Sequence, residues 1–281
     1  MIAQLCSAQR GASMQLTRKT LIRRFAVYLA TAALAVTGAT VQAAPAKAAG
    51  TCEHFAAIDM GKYWINNNVW GRNSGSGWQC IWDNWLSGNS IGWGTSYGWS
   101  GSSYSVKSYS AAILGWHWGW RRSGTGLPVQ LSANRSVNTG WNYSVRHSGG
   151  AMNVAYDLWL HPMSNPSYNN NPSDEVMIWP YRLNGAGPAG TRQATVSLAG
   201  ANWDLYRGWI DAGNGTGWNV FSFVRTSNTT SVTLNLRDFL NHLRSRGWVS
   251  GSKYLTSVQA GAEVFTGNGQ VDTNSFYANV S

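Results

Sequence analysis

Short runs of alternating apolar and polar residues recur along the chain, separated by clusters of Gly, Asn, Ser and Pro. A period of two is typical of strands that bury one face, and the clusters are typical of turns. The segments with this pattern are residues 62–71, 108–120, 152–162, 173–183, 193–210, 218–226 and 255–267. Because no fixed-period repeat is present, the pattern predicts one mostly-β domain.

One segment has the spacing of an amphipathic helix, with apolar residues at i, i+3, i+4 and i+7. These residues are Leu236, Phe239, Leu240 and Leu243. Asn235 can cap the start, and Gly247 fits the end. Many antiparallel strands with a single helix predict an all-β sandwich or jelly roll, with the helix packed on a sheet.

The first 49 residues differ from the rest of the chain. A basic stretch at 18–24 precedes an apolar run at 25–36, and small residues follow. This order is that of a secretory signal peptide, and the apolar run is too short to span a membrane. Cleavage is expected after Ala43 or Ala48, by the general secretory route rather than the twin-arginine route. We expect a leader at 1–49, one domain at 50–281 and a secreted, extracellular protein.

Removing the leader changes the charge. It contains six of the 21 basic residues and none of the 11 acidic ones, so the mature chain has a net charge of +4 instead of +10. No Lys/Arg block remains, so we expect neither a nucleic-acid partner nor, after cleavage, a membrane partner. About 230 residues suffice for one large β domain without a separate binding module. We expect a monomer.

Cys52 and Cys80 form an even pair once Cys6 leaves with the leader. In an exported protein such a pair predicts a disulfide, and two buried thiols are the alternative. Two cysteines without a histidine cluster do not indicate a metal site. No cofactor is expected.

Glu175 is one of three glutamates in the chain and lies in a predicted strand among apolar residues. Burying a carboxylate is costly unless it has a partner or a role. Alternation places Glu175, Met177 and Trp179 on one face, whereas Val176 and Ile178 form the core face. A glutamate beside a thioether and an indole suits a sugar-binding floor; a sheet-edge glutamate next to an ordinary core tryptophan is the alternative.

Glu263 and Asp157 show a similar arrangement. Glu263 shares a strand face with Gly261 and Phe265, and Asp157 shares one with Trp159. Each residue alone is also explained as a solvated strand residue or an aspartate bonded to a turn. A nearby carboxyl would raise the pKa of its neighbour. Together, paired carboxylates among aromatic residues are what glycoside hydrolysis needs.

The chain contains 17 tryptophans, concentrated between residues 70 and 120. Most of them are expected in the core, because β-sandwiches bury tryptophan. Trp70 is the best candidate for a sugar platform, because Asn67, Asn68 and Gly71 surround it with amide groups and open backbone.

These stretches resemble glycoside hydrolase family 12, the small retaining endo-β-1,4-glucanases. The motifs are NNVWG at 67–71, the segment at 108–120, VAYDLWL at 154–160, DEVMIW at 174–179, GPAG at 187–190 and YLTSVQAGAEVFTG at 254–267. They follow the family's order and cover nearly all of the mature chain. DEVMIW together with AGAEVFTG is highly specific, whereas GPAG alone is weak.

The resemblance implies a jelly roll of two curved antiparallel sheets with an open cleft. It implies that Glu175 is the nucleophile, Glu263 the general acid/base and Asp157 the carboxylate beside the nucleophile. Asn68, Trp70, Met177 and Trp179 are the expected substrate-binding residues. The Cys52–Cys80 pair matches the family's disulfide, and the segment at 184–190 resembles a loop that crosses the cleft.

The expected function is therefore cleavage of internal bonds in cellulose-type β-glucans, with net retention. A xyloglucan-specific endoglucanase of the same family and a non-catalytic glucan-binding lectin are the alternatives. A related jelly-roll xylanase is disfavoured by the motifs around Glu175 and Glu263.

Overall fold

The computed structural model describes residues 50–281, so the predicted leader lies outside the described residues. The strands are β1 (Gly50–Thr51), β2 (Ala57–Met60), β3 (Tyr63–Asn66), β4 (Gly77–Ser87), β5 (Ser90–Trp99), β6 (Ser108–His117), β7 (Trp120–Arg121), β8 (Val129–Gln130), β9 (Val137–Ser148), β10 (Met152–His161), β11 (Asp174–Leu183), β12 (Thr191–Leu198), β13 (Ala201–Gly213), β14 (Thr216–Arg225), β15 (Ser231–Asn235), β16 (Tyr254–Val264) and β17 (Gly267–Val280). One α-helix, α1 (Arg237–Ser245), lies among them.

The strands form two sheets. The smaller sheet has the order β1-β4-β5-β17-β9-β15, and the larger has the order β12-β13-β14-β11-β10-β16-β6-β3-β2. Short strands β7 and β8 extend the larger sheet beside β6 and β16. Neighbouring strands are antiparallel except β11 and β14, which are parallel. The prediction of an all-β jelly roll with one packed helix is confirmed.

The main core lies between the two sheets. From the larger sheet it receives the apolar face of each central strand: Val154, Tyr156, Leu158, Val176, Ile178, Ala262 and Val264. From the smaller sheet it receives large rings, such as Trp141, whose ring centroid lies 5.1 Å from that of Tyr156 and 6.0 Å from that of Phe276. Because strand side chains alternate, burying this face turns Asp157, Glu175 and Glu263 to the opposite face.

Helix α1 packs on the larger sheet through its predicted apolar stripe. The Phe239 ring lies 5.1 Å from the rings of Trp203 and Phe223. Asn235, the predicted cap, lies one residue before the observed N-cap residue, Leu236. Its Oδ1 nevertheless accepts a hydrogen bond from the Arg237 N–H at 3.2 Å. Gly247 ends the helix with φ +71°, as expected for a left-handed terminator.

Two segments predicted as strands differ in detail. The segment 62–71 leaves the sheet after Asn66, because side-chain amides bind the backbone there; Asn67 Nδ2 donates to the carbonyls of Glu53 and Gln79. The segment 193–210 falls within the β12–β13 hairpin, whose turn uses Ala199 and Gly200 at positive φ. The disulfide between Cys52 and Cys80 is present, as predicted. No helix within residues 50–281 has the length and apolarity needed to cross a membrane.

Candidate active site

Three predicted carboxyl residues meet on the larger sheet, on the face opposite the core. Asp157 lies on β10, and the strands on either side carry Glu175 (β11) and Glu263 (β16). Glu175 is paired with Trp159, and Glu263 with Asn153. We call this side of the sheet the carboxylate face. Residues far apart in the sequence are thus brought together on three adjacent strands.

Glu175 accepts a hydrogen bond from the indole of Trp218, with 2.7 Å between Nε1 and Oε2. Burial raises the pKa of Glu175 to about 7, and the Trp218 hydrogen bond acts in the opposite direction. The indole N–H stabilises the ionised form, because a donor is better satisfied by a carboxylate than by a neutral acid. Trp218 was not predicted from the sequence, since only the parallel pairing of β11 with β14 places it there.

Glu263 accepts a hydrogen bond from Asn153, with 2.6 Å between Nδ2 and Oε2. Burial raises the pKa of Glu263 to about 7; the Asn153 bond opposes this shift and the charge on Glu175 adds to it. Ionisation of one of these two glutamates therefore disfavours ionisation of the other. A pair that keeps one proton is what an anionic nucleophile and a protonated acid require.

Asp157 is 4 % exposed, and its Oδ1 has no hydrogen-bond partner among the described residues. Its pKa lies well above the ordinary value, first because of burial and then because of the charges on Glu175 and Glu263. Burial and the two neighbouring charges therefore favour the protonated form of Asp157. A protonated Asp157 can donate a hydrogen bond within the group.

Tyr109 is a further member of the site that the sequence did not identify. It lies on β6 opposite Glu263, and its hydroxyl donates to the Ala155 carbonyl at 3.0 Å. Its pKa is well above the ordinary value because of burial, followed by the charges of Asp157, Glu263 and Glu175. The charges of all three carboxyls thus raise the pKa of the same phenol. The three carboxyls therefore form a single electrostatic site.

Comparisons with known proteins identify the family of the chain. The family model described as glycosyl hydrolase family 12 matches residues 61–281. The chain belongs to glycosyl hydrolase family 12. The match spans every strand of the larger sheet except β2 and includes the whole carboxylate face.

The sequence relatives and solved structures that resemble the chain cover most of it. Endoglucanase S of Pectobacterium parmentieri is 44 % identical over 223 residues, which are 78 % of this chain and 82 % of the relative. Xyloglucan-specific endo-β-1,4-glucanase A of Emericella nidulans is 38 % identical over 81 % of this chain and 89 % of its own. The native family 12 xyloglucanase from Bacillus licheniformis superposes with a TM-score of 0.77 at 41 % identity, covering 83 % of this chain and all of its own.

As a family 12 chain, the protein is a glycoside hydrolase. Apolar side chains lie beside Glu175, the candidate nucleophile. Met177 is buried on the carboxylate face and accepts a hydrogen bond from Trp179, with 3.4 Å between Nε1 and Sδ. Trp179 is 2 % exposed and packs in one cluster with Met177, Phe265 and Ala186. Ala186 belongs to the segment predicted to cross the cleft. Trp179 thus packs beside Met177 on the same face, and its direct contact with sugar stays a prediction.

Asn68 and Trp70 follow β3 on the other side of the site. The Asn68 carbonyl accepts the Tyr109 N–H at 2.8 Å, which places Asn68 beside a member of the carboxylate group. The Asn68 side chain is buried, and its Oδ1 has no partner among the described residues. Trp70 is half-buried. An unsatisfied buried amide oxygen and a half-buried indole are suited to a hydroxylated ligand.

A tryptophan cluster closes the Glu175 end of the site. Trp118 lies 6.2 Å from both Trp159 and Trp218 by ring centroid, and the latter two rings are 5.6 Å apart. All three contacts are edge-to-face, a favourable aromatic geometry. The cluster keeps the Trp218 indole directed at Glu175. Within residues 50–281, no group of three or more His, Cys, Asp or Glu side chains has a metal-binding arrangement.

Proposed function

We propose that the protein is a secreted endo-β-1,4-glucanase that cleaves internal bonds of β-glucans with net retention. The family and its endoglucanase relatives support the class of reaction. The observation that carries the mechanism is the placement of two buried carboxyls, Glu175 and Glu263, on one face of the larger sheet, on the two strands that flank β10. We assign the anion to Glu175, whose carboxylate accepts the Trp218 N–H, and the acid role to Glu263.

Glu175 is the nucleophile in this mechanism and Glu263 the general acid/base. Glu263 donates its proton to the glycosidic oxygen while the Glu175 carboxylate attacks the anomeric carbon, giving a covalent glycosyl-enzyme and a free sugar leaving group. Glu263, now ionised, then removes a proton from water, which displaces Glu175 and restores both groups. Two inversions give retention of the anomeric configuration.

Asp157 and Trp218 adjust the nucleophile in this scheme. The Trp218 indole donates a hydrogen bond to the charge that Glu175 bears before attack, and we assign a second donor role to protonated Asp157 on the neighbouring strand. When Glu175 becomes an ester, that charge is neutralised and these hydrogen bonds weaken. Hydrolysis of the ester restores them, which favours release of Glu175 as a good leaving group.

Asn68, Trp70, Met177 and Trp179 are the proposed substrate-binding residues. The free amide oxygen of Asn68 accepts a sugar hydroxyl, and Trp70 offers an indole face to the sugar C–H surface. Met177 forms an apolar floor next to the nucleophile, with Trp179 beside it on the same strand face. The reaction needs no cofactor.

Xyloglucan is a second candidate for the preferred polymer. Two of the relatives named above are a xyloglucan-specific endoglucanase and a xyloglucanase, and the latter is 41 % identical to this chain. Product profiles on cellulose, mixed-linkage glucan and xyloglucan separate the two preferences. A lectin would bind these polymers without releasing reducing ends.

The rest of the biological setting is also a proposal. Residues 1–49 serve as signal peptide and leader, and residues 50–281 form the secreted catalytic domain, acting as an extracellular monomer without membrane or nucleic-acid partners. Amino-terminal sequencing of protein from the culture medium tests the cleavage after Ala43 or Ala48, and sedimentation of the mature chain tests the monomer.

We predict that Glu175→Gln and Glu263→Gln each lower turnover on β-glucan by several orders of magnitude while the fold is retained. Each change removes one of two carboxyls that the mechanism uses. Reducing-end release is the measurement, with circular dichroism as the folding check. Glu53→Gln is the matched control, because Glu53 is the third glutamate of the chain and is exposed. If Glu175→Gln or Glu263→Gln retains more than a tenth of wild-type activity, the role assigned to that glutamate is wrong.

A further inference from the structure

Three tryptophans lie in a row on the outer face of the smaller sheet, which points away from the core. Trp78, Trp82 and Trp85 all belong to β4. Trp78 is 49 % exposed and Trp85 40 %, and Trp82 is half-buried. We call these residues the tryptophan stripe. Contiguous exposed apolar groups on a soluble domain commonly mark a binding surface.

Each ring of the stripe lies over a glycine of the neighbouring strand β5. Trp78 is paired with Gly98, Trp82 with Gly94 and Trp85 with Gly92. A Cβ added to these glycines would come within 2.8, 2.3 and 2.1 Å of the respective indole. The absence of a Cβ at these glycines therefore allows the indole rings to pack flat against the backbone of β5. One face of each ring packs on backbone, which leaves the other face directed outward.

The stripe has the length of an extended polymer segment. From Gly98 to Gly92 the register advances six residues along β5, which is about 20 Å at roughly 3.3 Å per residue. Rings spread over this distance in one line can contact several successive sugar units of an extended chain. A compact ligand would contact one ring at a time.

The surface next to the stripe is amide- and hydroxyl-rich and nearly free of charge. Strand β17 lies beside β5, and β9 lies beside β17. Their outward positions, with those of β5, include Ser96, Asn268, Gln270, Asn142, Ser144 and Ser148. The charged residues at outward positions of β9 and β17, Arg146 and Asp272, neutralise each other in a 2.9 Å ion pair. Such a surface complements a neutral polymer of hydroxyl groups and offers little to an anionic ligand.

We propose that the tryptophan stripe and the adjoining amide-rich face form a second, non-catalytic binding surface for an extended, neutral β-1,4-glucan chain. The C–H faces of successive sugars stack on the indoles, and their hydroxyls bond to the amides of β17. The surface is separate from the active site, because the smaller sheet and the core lie between the stripe and the carboxylate face. The choice of β-1,4-glucan as the polymer rests on the proposed function.

Two other roles for the stripe give different experimental results. Aromatic rings packed over glycines also stabilise a sheet without binding anything. In that case, replacing them lowers thermal stability and affects every substrate alike. A second copy of the chain could also cover the stripe, and replacing the rings would then abolish a dimer.

The experiment compares the double variant Trp78→Ala/Trp85→Ala with the wild type in two assays. Binding is measured by retardation in native gels containing hydroxyethylcellulose and by depletion onto insoluble cellulose, with Glu175→Gln present throughout to prevent cleavage. Activity is measured with Glu175 intact on an aryl β-cellobioside, which is too short to reach the stripe. We expect at least a tenfold loss of polymer affinity and less than a twofold change in kcat/KM on the aryl substrate.

Trp209→Ala is the matched control. Trp209 is 56 % exposed and also lies over a glycine, Gly217, but it belongs to the larger sheet. This variant should retain polymer affinity. If the alanine pair fails to fold, Trp78→Leu/Trp85→Leu keeps apolar cover on the glycines while removing the flat rings, and the same loss of affinity is expected.

If Trp78→Ala/Trp85→Ala binds the polymer as tightly as Trp209→Ala does, the inference is overturned. Activity of the wild type on the aryl substrate would in that case leave the proposed function intact. A parallel fall in thermal stability and aryl activity would assign the stripe a structural role only. A wild-type dimer in sedimentation that the variants abolish would make it a subunit interface instead. The wild type could also bind the polymer through the stripe and yet cleave neither the aryl substrate nor the polymer. That result would support the binding surface and overturn the proposed function.

Discussion

At the scale of single residues, the ionisation of Glu175 and Glu263 depends on neighbours that the sequence pattern does not disclose. The two glutamates were predictable because each interrupts an apolar strand and belongs to a specific motif. Trp218, Asn153 and Tyr109 were not, because they come from other strands and their proximity depends on register. No local signal distinguishes these three side chains from ordinary strand residues.

We predict that Trp218→Phe shifts the acid limb of the pH profile of kcat/KM to higher pH. The change keeps an aromatic ring but removes the N–H that bonds to Glu175 at 2.7 Å. Without this donor, the ionised form loses stabilisation and the pKa of Glu175 rises further above about 7. Trp209→Phe should leave the limb unchanged, because alternation along β13 places the Trp209 side chain on the opposite face of the larger sheet from Trp218. A limb that stays in place or moves to lower pH in Trp218→Phe would refute this role.

At the scale of elements, strands were predictable from the sequence where apolar residues on one face alternate with polar or charged residues on the other. Strands β10, β11 and β16 were predicted, because their core residues alternate with the carboxylate face. Strands β4, β5, β9 and β17 were not, because most of their outward positions hold glycine, serine, asparagine or tryptophan, and Arg146 and Asp272 are exceptions among them. In the sequence, the glycines of β5 that lie under the tryptophan stripe resemble turn residues. In the structure they belong to a strand, where a side chain at these positions would clash with the indoles of β4.

We predict that reducing the Cys52–Cys80 disulfide lowers the unfolding midpoint and leaves activity measurable at 25 °C. The bond closes a segment with a sequence separation of 28 and ties the β1 region to β4. Chain-entropy arguments give about 3.6 kcal/mol for a loop of this size. Neither cysteine contacts the carboxylate face. Thermal unfolding with and without reductant measures the shift.

Thiol titration of the unreduced, denatured mature protein is the control for that experiment. It should find no free thiol, since both cysteines of the described chain are bonded to each other. Two reactive thiols, or an unfolding midpoint that reductant leaves unchanged, would contradict the prediction.

At the scale of the whole molecule, the fold retains buried acids that reduce its stability at neutral pH. The pKa of Glu263 is raised from 4.5 to about 7 in the folded chain, mainly by burial. The folded state therefore binds more protons than the unfolded state between these values. Stability from this group is complete below about 4.5 and is lost as the pH rises through about 7.

We predict that Glu263→Gln becomes more stable relative to the wild type as the pH rises from 4.5 to 7.5. The amide has no charge to desolvate, so the difference in free energy of unfolding should grow by about 1–3 kcal/mol across this window. Urea unfolding at a series of pH values measures it, with Glu53→Gln as a control that shows no such trend. A difference that is constant, or that shrinks with pH, would show that burial does not raise the pKa of Glu263.

The central claim, that Glu175 attacks and Glu263 transfers the proton, is tested most directly by azide trapping with an activated aryl β-glycoside. In Glu175→Ala, azide enters the space of the missing nucleophile and should give the α-glycosyl azide. In Glu263→Ala, Glu175 still forms the covalent intermediate, and azide should displace it from the opposite face to give the β-glycosyl azide. The β product from Glu175→Ala and the α product from Glu263→Ala would reverse the two roles, and release of α-configured sugar by the wild type would contradict the retaining mechanism itself.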